Sequence, residues 1–261
     1  MKKAILLLSV LLFTFSASAQ WTWVNPLPTV NGFRAVYFTD EYTGYAAGTF
    51  GTILKTTDGG SSWTPLQTGT ENDLYCIHFT DPLTGFAAGD MGTIIKTIDA
   101  GATWTFLSSG TWEEIRSFYF FNRDTAFAVG LGGVIKKTMN AGATWTDLSI
   151  SSGFNIYSVW FTDSNTGIIC TIDLNWMLGD FLKSTDGGQT WVEQSQTGWW
   201  PSSIVFTDSN TGYASVLDEF GTTGNIMKSN DGGHLWGQIV VDPLPAMNSI
   251  IFRCEYRLGC W

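Results

Sequence analysis

The chain has 261 residues, 13 Trp and 18 Phe, but only 14% charged residues. That much apolar surface offsets the entropy of ordering and excludes a disordered chain. A formal charge of −10 excludes a nucleic-acid partner, whose affinity would come from Lys and Arg neutralising phosphates.

The chain opens with Lys2 and Lys3, an apolar run from Ala4 to Phe15, and then Ala17, Ser18 and Ala19. This order reads as a secretory signal over residues 1–19, cleaved after Ala19. The run is shorter than the roughly 20 apolar residues a spanning helix needs, and no later run approaches that length. The expected product is secreted, periplasmic or held at the cell surface, without membrane insertion once the signal is removed. Next comes QWTWVNPLP over residues 20–28, which reads as an outer strand lacking the three strands that should precede it.

From there the sequence repeats. The string Ser/Thr-x-Asp/Asn-x-Gly-x-x-Trp occurs from Thr56 to Trp63, Thr97 to Trp104, Thr138 to Trp145, Ser184 to Trp191 and Ser229 to Trp236. A second string precedes each copy, beginning FTDEYTGYAAG at Phe38, FTDPLTGFAAG at Phe79, FFNRDTAFAVG at Phe120, FTDSNTGIICT at Phe161 and FTDSNTGYASV at Phe206. Phe to Trp is 25 residues in three copies and 30 in two, while Trp to the next Phe is 15 or 16. In the second copy Leu74 to Phe79, Phe86 to Gly89, Thr93 to Thr97 and Thr103 to Ser108 read as strands, being β-branched or aromatic and bounded by turn formers. Four antiparallel strands per unit predict an all-β propeller, with blades at about 31–66, 72–107, 113–148, 154–194 and 200–239. Ser249 to Phe252 match the inner strand of a sixth blade, so an incomplete ring is expected, the full protein having six or more blades.

Within each box, Asp58, Asp99, Asn140, Asp186 and Asp231 are expected to accept amides two residues on, with the Ser or Thr hydroxyl adding another hydrogen bond, in Asx-type turns. Gly60, Gly101, Gly142, Gly188 and Gly233 permit a positive φ. Trp63, Trp104, Trp145, Trp191 and Trp236 are expected to begin the outer strands, each covering a blade flank for about 2–3 kcal/mol. The box is similar to the Asp-box, or bacterial neuraminidase repeat. The compound unit F-x-D-x-x-T-G-x-A-x-G ending in K-T-x-D-G-G-x-x-W, with Lys55, Lys96, Lys137, Lys183 and Lys228 ahead of the boxes, resembles the photosystem II stability/assembly factor family. That resemblance spans nearly all of the chain beyond residue 19. It implies a non-catalytic propeller that binds a protein, the family's role being to hold a membrane subunit's precursor during assembly; no cofactor or metal follows from it. Asp-box glycosidases of the sialidase or xyloglucanase kind are the alternative, with a glycan partner. Arg34, Arg116 and Arg123 do not supply a sialidase-like arginine triad, and among Asp73, Asp90, Glu113 and Asp218 nothing singles out a catalytic pair.

The Asp-boxes share one face of a propeller with the first-to-second-strand turns. The opposite face carries the second-to-third-strand loops and the links between blades, and its variability makes it the expected binding face. Both insertions fall there, within 172–180 and 217–224. Candidate ligand-binding residues are Trp112 and Glu113, Trp176, Trp199 and Trp200, and Phe220, each aromatic either meeting a ligand or capping a blade edge. Arg34 and Arg116 share one register of the inner strand with Tyr75, Tyr157 and Ser202. They either clamp a carboxylate or pair with a neighbouring blade's acid. His78 and His234 read as structural or solvated, Asp163 and Asp208 as Asx turns rather than calcium loops, and Cys76 and Cys170 as small buried hydrophobes. Arg253 to Trp261 replace the expected repeat. A shifted reading frame across the string for DVNTGWAVG yields CEYRLGCW, so a one- or two-base slip near Phe252 is expected to have written this tail.

Overall fold

A computed structural model describes residues 31–218, 222–239 and 244–245. The signal, the orphan strand at 20–28, Phe220, the sixth-blade strand and the tail lie outside the described residues. Five antiparallel sheets follow one another along the chain. Blade 1 holds β1 (Phe33–Phe38), β2 (Gly44–Gly48), β3 (Ile53–Thr56) and β4 (Thr64–Leu66). Blade 2 holds β5 (Leu74–Phe79), β6 (Gly85–Gly89), β7 (Ile94–Thr97) and β8 (Thr105–Leu107). Blade 3 holds β9 (Ile115–Phe120), β10 (Ala126–Gly130), β11 (Ile135–Thr138) and β12 (Thr146–Asp147). Blade 4 holds β13 (Phe154–Phe161), β14 (Gly167–Asp173), β15 (Leu178–Ser184) and β16 (Val192–Thr197). Blade 5 holds β17 (Trp200–Phe206), β18 (Gly212–Leu217), β19 (Thr223–Ser229) and β20 (Gly237–Gln238), with β21 (Leu244–Pro245) also paired to β19.

The outer strands start one residue after the box Trp rather than on it, and that of blade 4 runs to Thr197, three residues past the expected limit of 194. The insertions extend hairpins instead of making free loops. Ladder pairs continue to Asp173↔Leu178 in blade 4 and Leu217↔Gly224 in blade 5.

The box works differently from the simple Asx turn expected. Thr97 is the hub: its buried hydroxyl donates to Asp99 Oδ1 at 2.7 Å and accepts the Gly101 amide at 2.9 Å. Asp99 then reaches four residues on, accepting the Thr103 amide at 2.8 Å and the Thr103 hydroxyl at 2.6 Å. The hydroxyl sits between the carboxylate and the nearer amides, which is why the reach is four and not two. Asn140 in blade 3 keeps the same amide, from Thr144 at 2.9 Å. Two-residue Asx turns do occur, in the other turn of the blade, where Asp163 and Asp208 each accept amides two and three residues on.

The pairing of Phe with T-G in the repeat has a steric cause. A Cβ on Gly85 would sit 2.6 Å from the Phe79 ring, and Gly44, Gly167 and Gly212 meet Phe38, Phe161 and Phe206 in the same way. In blade 3 the glycine is replaced by Ala126, and Phe120 there stacks on His78 at 4.5 Å between ring centres. Burial pushes the His78 imidazole down to about 4, the structural one of the two roles expected of it.

Adjacent blades pack face to face. Tyr45, Ala47 and Ile53 of blade 1 meet Leu74, Ile77, Phe79 and Ile95 of blade 2, and equivalent clusters join the later blades. The lysines ahead of the first four boxes cross the same junctions: Lys55 donates to Ala100 O, Lys96 to Ala141 O, Lys137 to Gly187 O and Lys183 to Gly232 O, at 2.8–3.2 Å. Cys170 is a buried free thiol, and Cys76 a half-buried one. Among the described residues nothing packs on the other face of blade 1. Phe33, Val36 and Phe38 are 38%, 62% and 43% exposed, where their blade 2 counterparts Leu74, Ile77 and Phe79 are 0%, 6% and 2%.

Candidate functional site

Every inner strand carries a bulge near its start, at Phe33/Ala35, Leu74/Cys76, the Ile115 end of β9, Ile156/Ser158 and Pro201/Ser203. The extra residue is the one in the Arg/Tyr register: Arg34, Tyr75, Arg116, Tyr157 and Ser202. A bulge re-aims its side chain, and here successive blades bring theirs together. The Arg116 guanidinium lies 4.0 Å from the centre of the Tyr75 ring and 5.9 Å from that of Tyr157, and Arg34 lies 5.9 Å from Tyr75. The charge of Arg116 is met by Glu114, just before its own strand, rather than by a neighbouring blade. Burial, with the Asp90 and Glu114 carboxylates beside it, pushes the Tyr75 phenol up to about 12.

Around this ladder the second-to-third-strand turns of blades 1 to 3 share one shape, closing onto the next inter-blade link. Their tips are Phe50, Met91 and Gly132, all left-handed at φ 54°, 56° and 63°. A side chain there costs about 1–2 kcal/mol relative to glycine. Blades 1 and 2 nonetheless place large apolar side chains on the tip, as does blade 4 with Met177 at φ 53°. The three are 70%, 57% and 51% exposed, so burial does not offset the strain. Sequence reasoning missed them. The aligned strings TFGT, DMGT and LGGV held the signal, since Gly132 marks in blade 3 the conformation its counterparts must also adopt.

Of the expected ligand residues, Trp112 is 80% exposed and Trp176 74% exposed, and Glu113 is exposed beside Trp112. The Glu113 side chain lies against the Gly132 tip. Trp199 and Trp200 are half-buried. Trp199 packs on the junction of blades 4 and 5, and Trp200 donates its indole N–H to Met177 O at 3.0 Å, tethering that turn. These two serve as edge caps in the free protein. Arg34 is exposed on the ladder.

Two of the acids on this face are tied into its turns. Asp73 Oδ1 accepts the Phe50 amide at 2.9 Å, and Asp218 accepts the Thr222 and Thr223 amides and hydroxyls within 3.1 Å. These bonds hold the Asp218 carboxyl well below the usual range. Asp180, near the same end of β15, is 1% exposed with neither carboxylate oxygen hydrogen-bonded. Burial, then the charges of Glu193 and Asp173, push it up to about 6. Among the described residues no three His, Cys, Asp or Glu side chains converge to hold a metal ion.

Residues 61–155 match the family described as Photosynthesis system II assembly factor YCF48. Over that stretch, about a third of the chain, the protein resembles YCF48, and its fold is an Asp-box propeller. The structure of YCF48 bound to a D1 peptide is similar over 82% of this chain and 84% of that one, at 18% identity and a TM-score of 0.59. YCF48 from Cyanidioschyzon merolae matches at 19% identity over 82% of this chain and 86% of that one, with a TM-score of 0.56. The GH74 enzyme of Niastella koreensis shares the fold at 17% identity and a TM-score of 0.64, over 79% of this chain but only 38% of the enzyme. No curated protein matches. At these identities the likeness is one of fold, and it places the YCF48-like blades alongside both a peptide binder and a glycosidase.

Proposed function

We propose that this chain is an exported, non-catalytic binding propeller that docks a protein or peptide on its loop face, in the manner of an assembly scaffold. The reading rests on one observation: three tips, Phe50, Met91 and Met177, hold apolar side chains in solvent on backbone that glycine would occupy without strain. Strain kept where folding gains nothing from it marks a surface that acts on something else. Trp112 and Trp176 stand on the same face and supply the large apolar contact area that anchors interfaces. The solved peptide complex of YCF48 supports a peptide as the kind of ligand such blades take.

The test is a binding assay with a peptide library, read by fluorescence anisotropy. Trp112→Ala and Trp176→Ala should each weaken the selected peptides without lowering the melting temperature. Hydrolysis of xyloglucan or sialosides, lost on changing a single carboxylate, would instead establish a glycosidase. Export is checked separately by intact mass: the secreted protein should begin at Gln20.

A further inference from the structure

Two grooves lie side by side on the loop face. The first, about 520 Å³, is lined by Phe50, Leu66, Thr70 and Glu71. The second, about 580 Å³, is lined by Asn72, Met91, Phe106 and Trp112. Glu71 and Asn72 are consecutive and line one groove each, so Glu71 stands on the ridge between them. The apolar wall is open to solvent: Phe50, Met91, Phe106 and Trp112 are all exposed.

Among the described residues the one charged side chain lining either groove is Glu71. Neither groove is lined by a lysine or arginine. Glu71 and Glu113 are exposed, and among the described residues neither carboxylate enters an ion pair. Of the nearby cations two are engaged, while Arg34, exposed near the Tyr75 ring, lines neither groove. Arg116 is paired with Glu114 and lies over Tyr75, while Lys136 is buried against Gly110 O and Asp147. An apolar surface rimmed by unpaired carboxylates favours a partner that brings apolar groups and positive charge together, and it repels an anionic one.

Resting on the binding role proposed above, we infer that the occupant of these grooves is an extended cationic polypeptide segment, its apolar side chains against Phe50, Met91 and Trp112 and its lysines or arginines against Glu71 and Glu113. Side chains alternate along an extended segment. One edge can therefore enter the grooves while the other carries charge along their rim.

The experiment uses the full chain with three labelled eight-residue peptides, alternating Leu-Lys, Leu-Glu and Gly-Ser, and with phosphatidylcholine vesicles. The Leu-Lys peptide should bind at least about tenfold more tightly than Leu-Glu, a contrast that falls as salt rises. Glu71→Gln should weaken Leu-Lys binding by about twofold to fivefold, the size of one exposed charge pair, and flatten its salt dependence. Met91→Gly should also weaken it, while the melting temperature stays level or rises. Leu-Glu binding as tight as Leu-Lys, still dependent on Trp112, would overturn the cationic partner and leave the binding face intact. Binding of no peptide on this face would overturn both readings, and Trp112-dependent capture by the vesicles would replace the peptide with a lipid surface.

Discussion

The two faces of the ring treat polar groups in opposite ways. On the Asp-box face each box acid is enclosed by its own turn: Asp99 is bonded to the hydroxyls of Thr97 and Thr103 and to the Thr103 amide. On the loop face Glu71 and Glu113 stand unpaired among the described residues, Asp180 is buried without a partner, and apolar tips strain their own backbone. One face closes its polar groups on itself, while the other leaves some of them open even where Asp73 and Trp200 tether its turns. The repeated residues therefore record folding, and the irregular ones record whatever the protein meets.

The largest effect should come from the Asp-box face. Thr97→Val removes a buried hydroxyl that makes three hydrogen bonds and is expected to lower stability by about 2–3 kcal/mol, measured by urea unfolding. A neutral result would end the claim that the boxes hold the blades.

The loop-face end should respond with the opposite sign. The position of Asp180 is filled in blade 3 by the buried Val134, and Asp180→Val is expected to raise stability at pH 7 by about 1–3 kcal/mol. The folded carboxyl titrates near 6, above its ordinary 3.8. Its unfolded form therefore ionises first, and the parent loses stability as pH rises from about 4 to 6. The gap between variant and parent should open over that window and stay constant above it.

Acid should act on the boxes in a lower range. Hydrogen bonds from Ser62, Thr103 and Thr190 are the first cause pulling the Asp58, Asp99 and Asp186 carboxyls down to about 2. Their contribution is complete above about pH 4 and fades as pH falls towards 2. Asp99→Asn, which copies Asn140 of blade 3, should keep the fold and shrink that loss in acid melting curves. The smallest effect belongs to Trp112→Ala. Stability should move by no more than about 0.5 kcal/mol, and a larger loss would make Trp112 part of the frame.

The architecture was legible because a blade must repeat its solution: Phe79 with Gly85, and Thr97 with Asp99 and Gly101, recur at fixed spacing for steric and hydrogen-bonding reasons. The site was legible only in part. Trp112 and Trp176 stood out by residue type and are exposed, whereas Trp199 and Trp200 looked alike in sequence and proved half-buried. Phe50 and Met91 escaped notice because nothing in their identity announces a left-handed backbone. The Arg/Tyr register was visible, but the bulge that turns those side chains together depends on inter-strand pairing, which no single strand encodes.

The lysines ahead of the boxes give the molecule a mechanical grain. Those of blades 1 to 4 each link their blade to the carbonyl of a box 45 to 50 residues ahead, so these four blades are coupled to their successors by the same kind of bond. Such an assembly behaves as a linear chain of nearest-neighbour couplings. Fraying begins where such a bond is removed, as it would be in Lys96→Met. Amide exchange in that variant should therefore quicken first at the junction of blades 2 and 3, a weakness set by position along the chain rather than by depth from the surface.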